Sequence, residues 1–271
     1  MKVVDPEVFL IGESKIVSEG MQSYLDHLEV SNWDTNAPSD SEKLMEVFGR
    51  GCYESWYPGY NKNITRVREG NDIYLSNIIK SHHGSVLEGC MLNFAICNVS
   101  RILTHELLTH RVGIHKSQES LRYVRKDEIS FYIPNDLDIL AAEGCITRGQ
   151  KDTIQNIFID SVCYLEHQMN ECYKEVNIDT IKNFDIKKRI TSLIRRIFPD
   201  GGTTNLIWSA NFRTLRHTIE VRTDRHAEEE MRNVFNQIAD IVFARYPNVF
   251  SDHKREKISG YDEITFSASK I

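Results

Sequence analysis

The chain has 271 residues, a length that fits one large domain or two small ones. Hydrophobic residues make up 41% of it and charged residues 27%, the proportions of an ordinary globular protein with enough apolar material for a core. The formal charge of −6 argues against a general nucleic-acid coat, although it is compatible with a local basic pocket for a phosphorylated ligand.

No segment of the chain reads as a targeting or membrane sequence. The apolar runs fall short of the roughly 18 residues that a membrane span needs. The first residues, MKVVDPEVFLIGESK, lack the long apolar region of a secretory signal, and the six cysteines include no C-x-x-C pair. We therefore expect a cytoplasmic protein with reduced, mostly buried thiols, no membrane contact and no zinc site.

The first predicted elements are a helix and a loop. Ser39 or Asp40 can cap a helix that runs to about Phe48. Residues 51–70 are rich in glycine, tyrosine, tryptophan and asparagine, with a Pro-Gly pair among them, and this composition predicts a long loop.

A short helix and an alternating strand follow. Asn71 and Asp72 predict a helix cap, and the pattern of this helix ends near Gly84. Residues 90–99 alternate in the way that is typical of a strand buried on one face. The predicted buried face of this strand consists of Leu92, Phe94 and Ile96.

A second helix leads into a polar region. Ser100 can cap this helix, and Gly113 is expected to interrupt it. A polar loop is predicted from there to Leu121. Residues 129–133 then predict a short second strand, closed by a proline.

The second half of the chain is predicted to be mainly helical. Strands and helices mix without a regular βαβ period, which indicates an α+β fold, and we expect residues 1–271 to form a single domain. The predicted elements are amphipathic helices at 148–178 and 180–198, a break at 199–202, an apolar strand at 204–209, a helix from Asn211, and a last helix at 225–245 capped by Asp224.

Polar clusters lie at several element boundaries, and the first is the sequence HGSVLE at residues 83–88. Gly84 lets the backbone approach a ligand, and Ser85 can donate a hydrogen bond to a phosphate or a ribose. The same residues are also compatible with a plain helix C-cap followed by a turn.

Two further clusters occupy residues 109–123. The basic pair His110 and Arg111 follows Thr109 at the end of a predicted helix, where cations usually compensate the helix dipole. The next segment combines serines with an arginine, which suits a phosphate because arginine binds it with two parallel hydrogen bonds and hydroxyls complete the oxygen shell. Its polar residues are Ser117, Gln118, Ser120 and Arg122.

The densest cluster covers residues 211–226. Asn211, Arg213 and His217 fall in one helical neighbourhood, and Arg222 follows them. A purely structural helix rarely needs so many basic and amide groups, although a solvated helical face is the alternative. The sequence contains no G-x-S-x-G elbow, G-x-G-x-x-G fingerprint or Walker loop, so a dinucleotide would need another kind of pocket.

Taken in this order, the clusters resemble flavin-dependent thymidylate synthases. The similarity covers about residues 45–130 and 190–245, and five elements in register make it specific. The matching elements are His83/Ser85/Glu88 for H-x-[ST]-x-x-E, Thr109-His110-Arg111 for the R-H-R triplet, Ser120-Leu121-Arg122-Tyr123 for S-x-R-Y, Arg195 before Pro199, and, as the fifth, Asn211/Arg213 with the downstream Arg222/Asp224/His226 for N-x-R followed by R-x-D-x-H.

Two residues and the length of one loop depart from the family pattern. Thr109 replaces the first arginine of the triplet and so removes one positive charge expected near flavin or nucleotide phosphate. Gly89 stands where the family often has histidine. The loop from Arg111 to Ser120 is one residue longer than the commonest spacing, a known variant of the pattern. These departures bear on ligand affinity more than on the type of reaction.

The resemblance implies an enzyme that converts dUMP to dTMP. It implies FAD as cofactor, NADPH as reductant and methylenetetrahydrofolate as co-substrate, and a mechanism without an attacking cysteine. It also implies a homotetramer whose active sites lie at subunit interfaces. It implies cofactor binding by Ser85, Thr109, His110, Arg111, Gln118, Asn211, Arg213 and His217. It implies dUMP binding by Glu106, Ser120, Leu121, Arg122, Arg195 and Arg222, with Arg222 also the catalytic residue that stabilises charge on the uracil ring.

Other classes of function stay open on the sequence alone. A flavin- or nucleotide-binding relative that has lost catalysis is one, suggested by Thr109. An RNA-binding protein that uses the basic helices is disfavoured by the acidic net charge and by the absence of an RNA-binding motif. A metal hydrolase would use His105, His110 and His115 as ligands.

Overall fold

Helices and strands alternate irregularly along the computed structural model, which describes residues 1–269. In chain order they are β1 (Lys2–Val3), β2 (Glu7–Glu13), α1 (Ser18–His27), α2 (Asp40–Tyr53), α3 (Asn71–Lys80), β3 (Met91–Ser100), α4 (Arg101–Leu107), β4 (Ile114–Gln118), β5 (Ser130–Phe131), α5 (Asp136–Ala142), α6 (Arg148–Glu175), α7 (Phe184–Ile194), β6 (Thr203–Asn211), α8 (Phe212–Thr223), α9 (Glu229–Arg245), β7 (His253–Ile258) and β8 (Tyr261–Phe266).

A four-stranded antiparallel sheet, in the order β2-β3-β6-β4, forms the base of the site. Trp208 lies at its centre, opposite Phe94 on β3 and Lys116 on β4. Its ring is fully buried and packs against Phe94 and against Phe235 of α9, with centroid separations of 5.9 Å and 5.6 Å. The sheet and helices α8 and α9 thus share one core, and the prediction of an α+β fold is confirmed.

Helix α2 confirms the predicted cap and extends beyond the predicted end. The Ser39 side chain accepts a hydrogen bond from the backbone N–H of Glu42. The helix continues past Phe48 to Tyr53, because Arg50 is buried and forms an ion pair with Glu46, one turn earlier. The start of the predicted 51–70 loop is therefore helical.

Helix α3 begins where predicted, but the predicted cap is wrong. Gly70 occupies the N-cap position, and no side chain caps the helix. Asn71 is instead fully buried and donates hydrogen bonds to the Glu42 carbonyl and to Glu46 Oε2. A buried amide must find such partners, so this residue joins α3 to α2. In the next element the alternating strand is confirmed, because the side chains of Leu92, Phe94 and Ile96 are completely buried.

The region after Ser100 differs from the prediction. Ser100 caps α4 as expected, accepting from the Leu103 N–H, but the helix already ends at Leu107 and Gly113 lies beyond it. The predicted polar loop contains β4, which pairs with β6 through backbone hydrogen bonds. Its sequence, IHKSQ, is mostly polar, so no apolar alternation announces the strand.

Later elements agree with the prediction except at the start of the last helix, whereas helix α5 and the elements at the chain ends had no prediction. Helices α6 and α7 and strand β6 lie where predicted, and Asn211 caps α8 by accepting from the Thr214 N–H. The last helix begins at Glu229 and not near 225, because Asp224 accepts a hydrogen bond from the His226 N–H in a turn. The β2 strand, helix α1 and the β7–β8 hairpin had no sequence prediction.

Two expectations concern the whole chain. Within residues 1–269, no helix is long and apolar enough to cross a bilayer. The six cysteines are all free thiols. The expectation that they are mostly buried is wrong, because Cys52, Cys145 and Cys163 are exposed. Among the others, burial raises the pKa of the Cys90 thiol to about 12.

Candidate active site

The guanidinium of Arg222, near the end of α8, lies against the turn that follows α4. Its Nε donates to His110 Nε2 at 2.9 Å, and its Nη1 donates to Glu106 Oε2 at 3.0 Å. Its Nη2 donates both to the Glu106 carbonyl and to Thr109 Oγ1, each at 3.1 Å. Four of the five N–H groups are thus engaged, so the orientation of the guanidinium is fixed and one N–H is free for a ligand.

Thr109 has a role that the sequence did not reveal. Its hydroxyl donates to the Glu106 carbonyl at 2.8 Å and accepts from Arg222. At the position where the family pattern has arginine, this chain therefore has a hydroxyl that orients the Arg222 guanidinium. A second departure, Gly89, has a steric reason, since a Cβ there would lie 2.5 Å from the ring of Phe48.

The geometry fixes the protonation state of His110. Because Nε2 accepts from Arg222, the imidazole is neutral and carries its proton on Nδ1. Burial, followed by the charge of Arg222 and the proximity of His217 and Lys116, lowers the pKa of His110 to about 4. A neutral acceptor next to the guanidinium is therefore maintained at neutral pH.

A titration tests this assignment. The folded pKa lies below the value of about 6.5 that is ordinary for histidine, so the unfolded chain binds the proton more strongly. We expect the contribution of neutral His110 to the free energy of unfolding to be fully present above pH of about 6.5 and to decrease as the pH drops towards 4. NMR of ¹⁵N-labelled protein should show His110 titrating below pH of about 5, and Arg222→Ala should raise the midpoint. A midpoint at the ordinary value in the wild-type protein would contradict the assignment.

A cleft of about 490 Å³ opens beside this cluster, between the turn after α4 and the start of α8. Arg213 pairs there with Glu88, while no carboxylate in residues 1–269 forms an ion pair with Arg111. The walls therefore carry more positive than negative charge, which suits an anionic ligand. The lining residues are Glu88, Thr109, His110, Arg111, Val112, Asn211, Arg213, Thr214, His217 and Ser269.

Gly113 allows the two walls of the cleft to approach each other. Its φ of +68° is in the left-handed region, and a Cβ there would lie 2.4 Å from both Asn211 Nδ2 and Thr214 Oγ1. Its carbonyl accepts from the Asn211 N–H at 3.0 Å, and Thr214 Oγ1 donates to the carbonyl of Val112 at 2.9 Å. Only glycine fits this position, because both the backbone conformation and the space exclude a side chain.

Gly113→Ala should therefore destabilise the protein by about 2–4 kcal/mol, from the left-handed conformation together with the clash. Gly59→Ala is the matched control, since Gly59 has a φ of +87° but nothing within 4 Å of its added Cβ. It should cost only about 1–2 kcal/mol. Urea unfolding measures both, and equal losses would show that the contact with Asn211 and Thr214 does not matter.

A second cluster lies apart from the cleft, where the chain after β4 meets the end of α7. Arg122 Nε donates to Ser192 Oγ, and the Arg122 N–H donates to Ser120 Oγ, both at 3.3 Å. Leu121 is buried with Ile194 and Phe198, which holds this segment against the residues around Arg195. Both arginines are exposed, and neither forms an ion pair with a carboxylate among residues 1–269.

The predicted residues are thus distributed over two places. Thr109, His110, Arg111, Asn211, Arg213 and His217 line the cleft, with Glu106 and Arg222 next to it, whereas Ser120, Leu121, Arg122 and Arg195 form the second cluster. Ser85 lies in a short 3₁₀ turn and Gln118 at the end of β4; both are exposed, and neither lines the cleft. No hydrogen bond or ion pair in residues 1–269 joins the second cluster to Arg222.

The site also contains residues that the sequence did not single out. Thr214 and Val112 line the cleft, and Lys116 donates to two carbonyls of the turn after α4. None of these three residues belongs to a recognisable motif in the sequence. Glu88 also lines the cleft, and it belongs to the HGSVLE cluster that the sequence does single out. The three histidines of the metal hypothesis form no metal-binding group among residues 1–269.

Comparisons with known proteins assign the family. The family described as thymidylate synthase complementing protein matches residues 35–248. Flavin-dependent thymidylate synthases from Mycobacterium sp. (strain JLS) and from Mycobacteroides abscessus are 30% and 27% identical to this chain. The first alignment covers 86% of this chain and 87% of the relative, and the second covers 87% and 88%.

Solved structures share the fold. A thymidylate synthase X from Helicobacter pylori, crystallised with FAD and dUMP, has a TM-score of 0.55 and 20% identity, over 91% of this chain and 98% of that one. A UMP/dUMP methylase from Streptomyces cacaoi, bound with 5-Br dUMP, has a TM-score of 0.60 and 17% identity, over 92% and 95%. The fold and the matches define an enzyme of the methyltransferase class. The chain belongs to the thymidylate synthase complementing protein family, the flavin-dependent thymidylate synthases.

Proposed function

We propose that this chain, as a single catalytic domain over residues 1–271, converts dUMP to dTMP. Methylenetetrahydrofolate supplies the one-carbon unit, and NADPH supplies the electrons through FAD. The products are dTMP and tetrahydrofolate. The observation that carries the proposal is the fixed guanidinium of Arg222, which keeps one free N–H beside a cationic cleft.

The donor set of the cleft fits FAD. Arg111 has no carboxylate partner among residues 1–269, and Arg213, Asn211 and His217 lie on the opposite wall. Guanidinium and imidazole groups hold a diphosphate through charge-assisted hydrogen bonds. His110 also lines the cleft and contributes to flavin binding. Because its imidazole is neutral, it adds no charge there. When bound, the flavin supplies the two electrons that turn the methylene group into a methyl group.

Arg222 acts on the pyrimidine ring of dUMP. Its free N–H donates to a uracil carbonyl on the N3 edge, and its charge stabilises the negative charge that develops as the ring is activated at C5. Glu106 stands beside it with one carboxylate oxygen bound to Arg222. A carboxylate repels phosphate, so Glu106 contacts the sugar or the base of dUMP.

Arg122 and Arg195 hold the phosphate of dUMP, with the Ser120 hydroxyl and the backbone near Leu121. Their exposed guanidiniums lack carboxylate partners in the described part of the chain, which fits an anion site. No hydrogen bond or ion pair joins this second cluster to Arg222 within the described residues of one chain. Their separation supports a homotetramer in which each active site combines residues from neighbouring subunits, with Ser85 and Gln118 contributing to the flavin site in the same way.

The remaining partners follow from the same proposal. The ligands are small molecules, and neither nucleic acid nor a membrane takes part. Free thiols at all six cysteines fit the reducing environment of the cytoplasm, where we place the enzyme.

Turnover by the purified protein tests the proposal. The protein should be yellow, and it should form dTMP when dUMP, methylenetetrahydrofolate and NADPH are all present. Omitting any one of the three should abolish the product. A yellow protein that makes no dTMP would indicate a flavin-binding relative that has lost catalysis. A colourless protein unable to take up FAD would contradict the proposal entirely.

A further inference from the structure

Lys116 links the central sheet to the turn that holds Arg222. It lies on β4 opposite the buried Trp208, so the core fixes the position of its backbone. Its half-buried Nζ donates to the carbonyl of Leu107 at 2.8 Å and to that of His110 at 2.9 Å. One ammonium therefore bridges both ends of the segment from Leu107 to His110.

The backbone N–H groups of Leu108, Thr109 and His110 donate to the carbonyls of His105, Glu106 and Leu107 at 3.1, 3.1 and 3.3 Å, so the segment continues as a single loose turn. Helix α4 ends at Leu107, and the backbone bond from the His110 N–H to the Leu107 carbonyl is long, at 3.3 Å. Within residues 1–269, no group other than the Lys116 ammonium donates a hydrogen bond to the His110 carbonyl. Carbonyls at the end of a helix lack partners within the helix, and a cationic donor satisfies them well. The Lys116 ammonium therefore contributes directly to the shape of the turn.

The cation is held there despite an unfavourable environment. Burial and the charge of Arg111 lower the pKa of Lys116 below the usual range for lysine. A half-buried ammonium normally loses hydration that only close hydrogen bonds replace. The two carbonyl contacts provide that replacement.

The turn carries the partners of the Arg222 guanidinium. Glu106 immediately precedes the bridged segment, and Thr109 and His110 lie within it. A change in the backbone of the segment moves all three partners together. A displacement of about 1 Å in such a positioning group is sufficient to impair catalysis.

We propose that Lys116 is a positioning residue whose bridge between the Leu107 and His110 carbonyls aims Glu106, Thr109 and His110 at the Arg222 guanidinium and thereby fixes that guanidinium for the pyrimidine ring. This role rests on the proposed function, since it concerns the ring that Arg222 binds. Lys116 itself contacts neither the ring nor the flavin. Within residues 1–269 no hydrogen bond joins Lys116 to the phosphate cluster around Arg122, so we expect Lys116 to affect the binding of the base and not that of the phosphate.

Two ligands separate the base from the phosphate. dUMP uses both parts of the site, whereas deoxyribose 5-phosphate lacks the base. Lys116→Met keeps the length and apolar stem of the side chain but cannot donate. It should raise the dissociation constant for dUMP by about 10-fold, the range of a lost charged hydrogen bond, and leave that for deoxyribose 5-phosphate unchanged. Lys116→Arg, which can still donate to both carbonyls, should restore most of the dUMP affinity.

A matched control and a fold check complete the experiment. Lys151→Met removes another partly buried lysine, which lies on α6, pairs with Asp138 on α5 and does not line the cleft, so this variant should change neither constant. Lys116→Gln, with one donor group, should give an intermediate affinity even if the methionine variant folds poorly. Equal weakening of both ligands, or no rescue by arginine, would overturn the proposal. Wild-type protein that binds no dUMP would instead refute the proposed function.

Discussion

Arg222→Ala should lower dTMP formation by about 10²–10³-fold, the loss that follows removal of one preorganised charge-stabilising group. The substitution removes the guanidinium that we propose to face the pyrimidine ring, and it leaves the Glu106 carboxylate without its ion-pair partner. The variant should still bind flavin, because Arg111, Asn211 and Arg213 stay in place in the cleft. Product formation under saturating substrates, together with the visible spectrum, measures the two effects separately.

Two further substitutions sharpen this experiment. Arg222→Lys keeps the positive charge but cannot reach His110, Glu106 and Thr109 at once, so it should rescue little activity. Arg225→Ala is the matched control, because that arginine is 49% exposed and pairs with Glu263 outside the cleft. It should retain near-normal turnover. Unchanged turnover in Arg222→Ala would refute the role assigned to this residue.

Trp208→Ala should reduce the free energy of unfolding by about 3–5 kcal/mol. The ring is fully buried between Phe94 and Phe235, so its removal leaves a cavity in the shared core of the sheet and α9. Strand β6 ends at Asn211, which lines the flavin cleft. The pairing of β6 with β4 also sets Lys116 opposite Trp208. The loss should therefore also weaken flavin binding.

Urea unfolding followed by circular dichroism measures this loss without relying on tryptophan fluorescence. Ile207→Ala, one residue earlier on the opposite face of β6, is the control, since Ile207 is 36% exposed. It should cost clearly less than about 2 kcal/mol. If the two alanine variants lost the same stability, the sheet and helix α9 would not share the core described above.

The sequence predicted those elements that carry a local signal. Strand β3 alternates apolar and polar residues, and helices α2, α4 and α8 each begin after a serine or asparagine that caps them. Strands β4 and β7 are mostly polar and exposed, so only their pairing partners, β6 and β8, define them. Such pairing depends on distant parts of the chain, which a local pattern does not contain.

The sequence indicated several residues that line the cleft, but not the contacts among them. The motif order located Arg222, His110 and Thr109, yet the hydrogen bonds among them join positions 112 and 113 residues apart. The sequence indicates a lost charge at Thr109, whereas the structure shows that its hydroxyl holds the Arg222 guanidinium. Lys116 carried no signal, because its role depends on the pairing of β4 with β6.

An anaerobic single turnover tests the central claim most directly. Enzyme with fully reduced flavin is mixed with dUMP and methylenetetrahydrofolate in the absence of NADPH, and flavin reoxidation and dTMP are followed together. We predict that flavin reoxidises only when both substrates are present, and that one dTMP forms for each flavin oxidised. Reduced flavin that persists, or dTMP formed without flavin oxidation, would contradict the account.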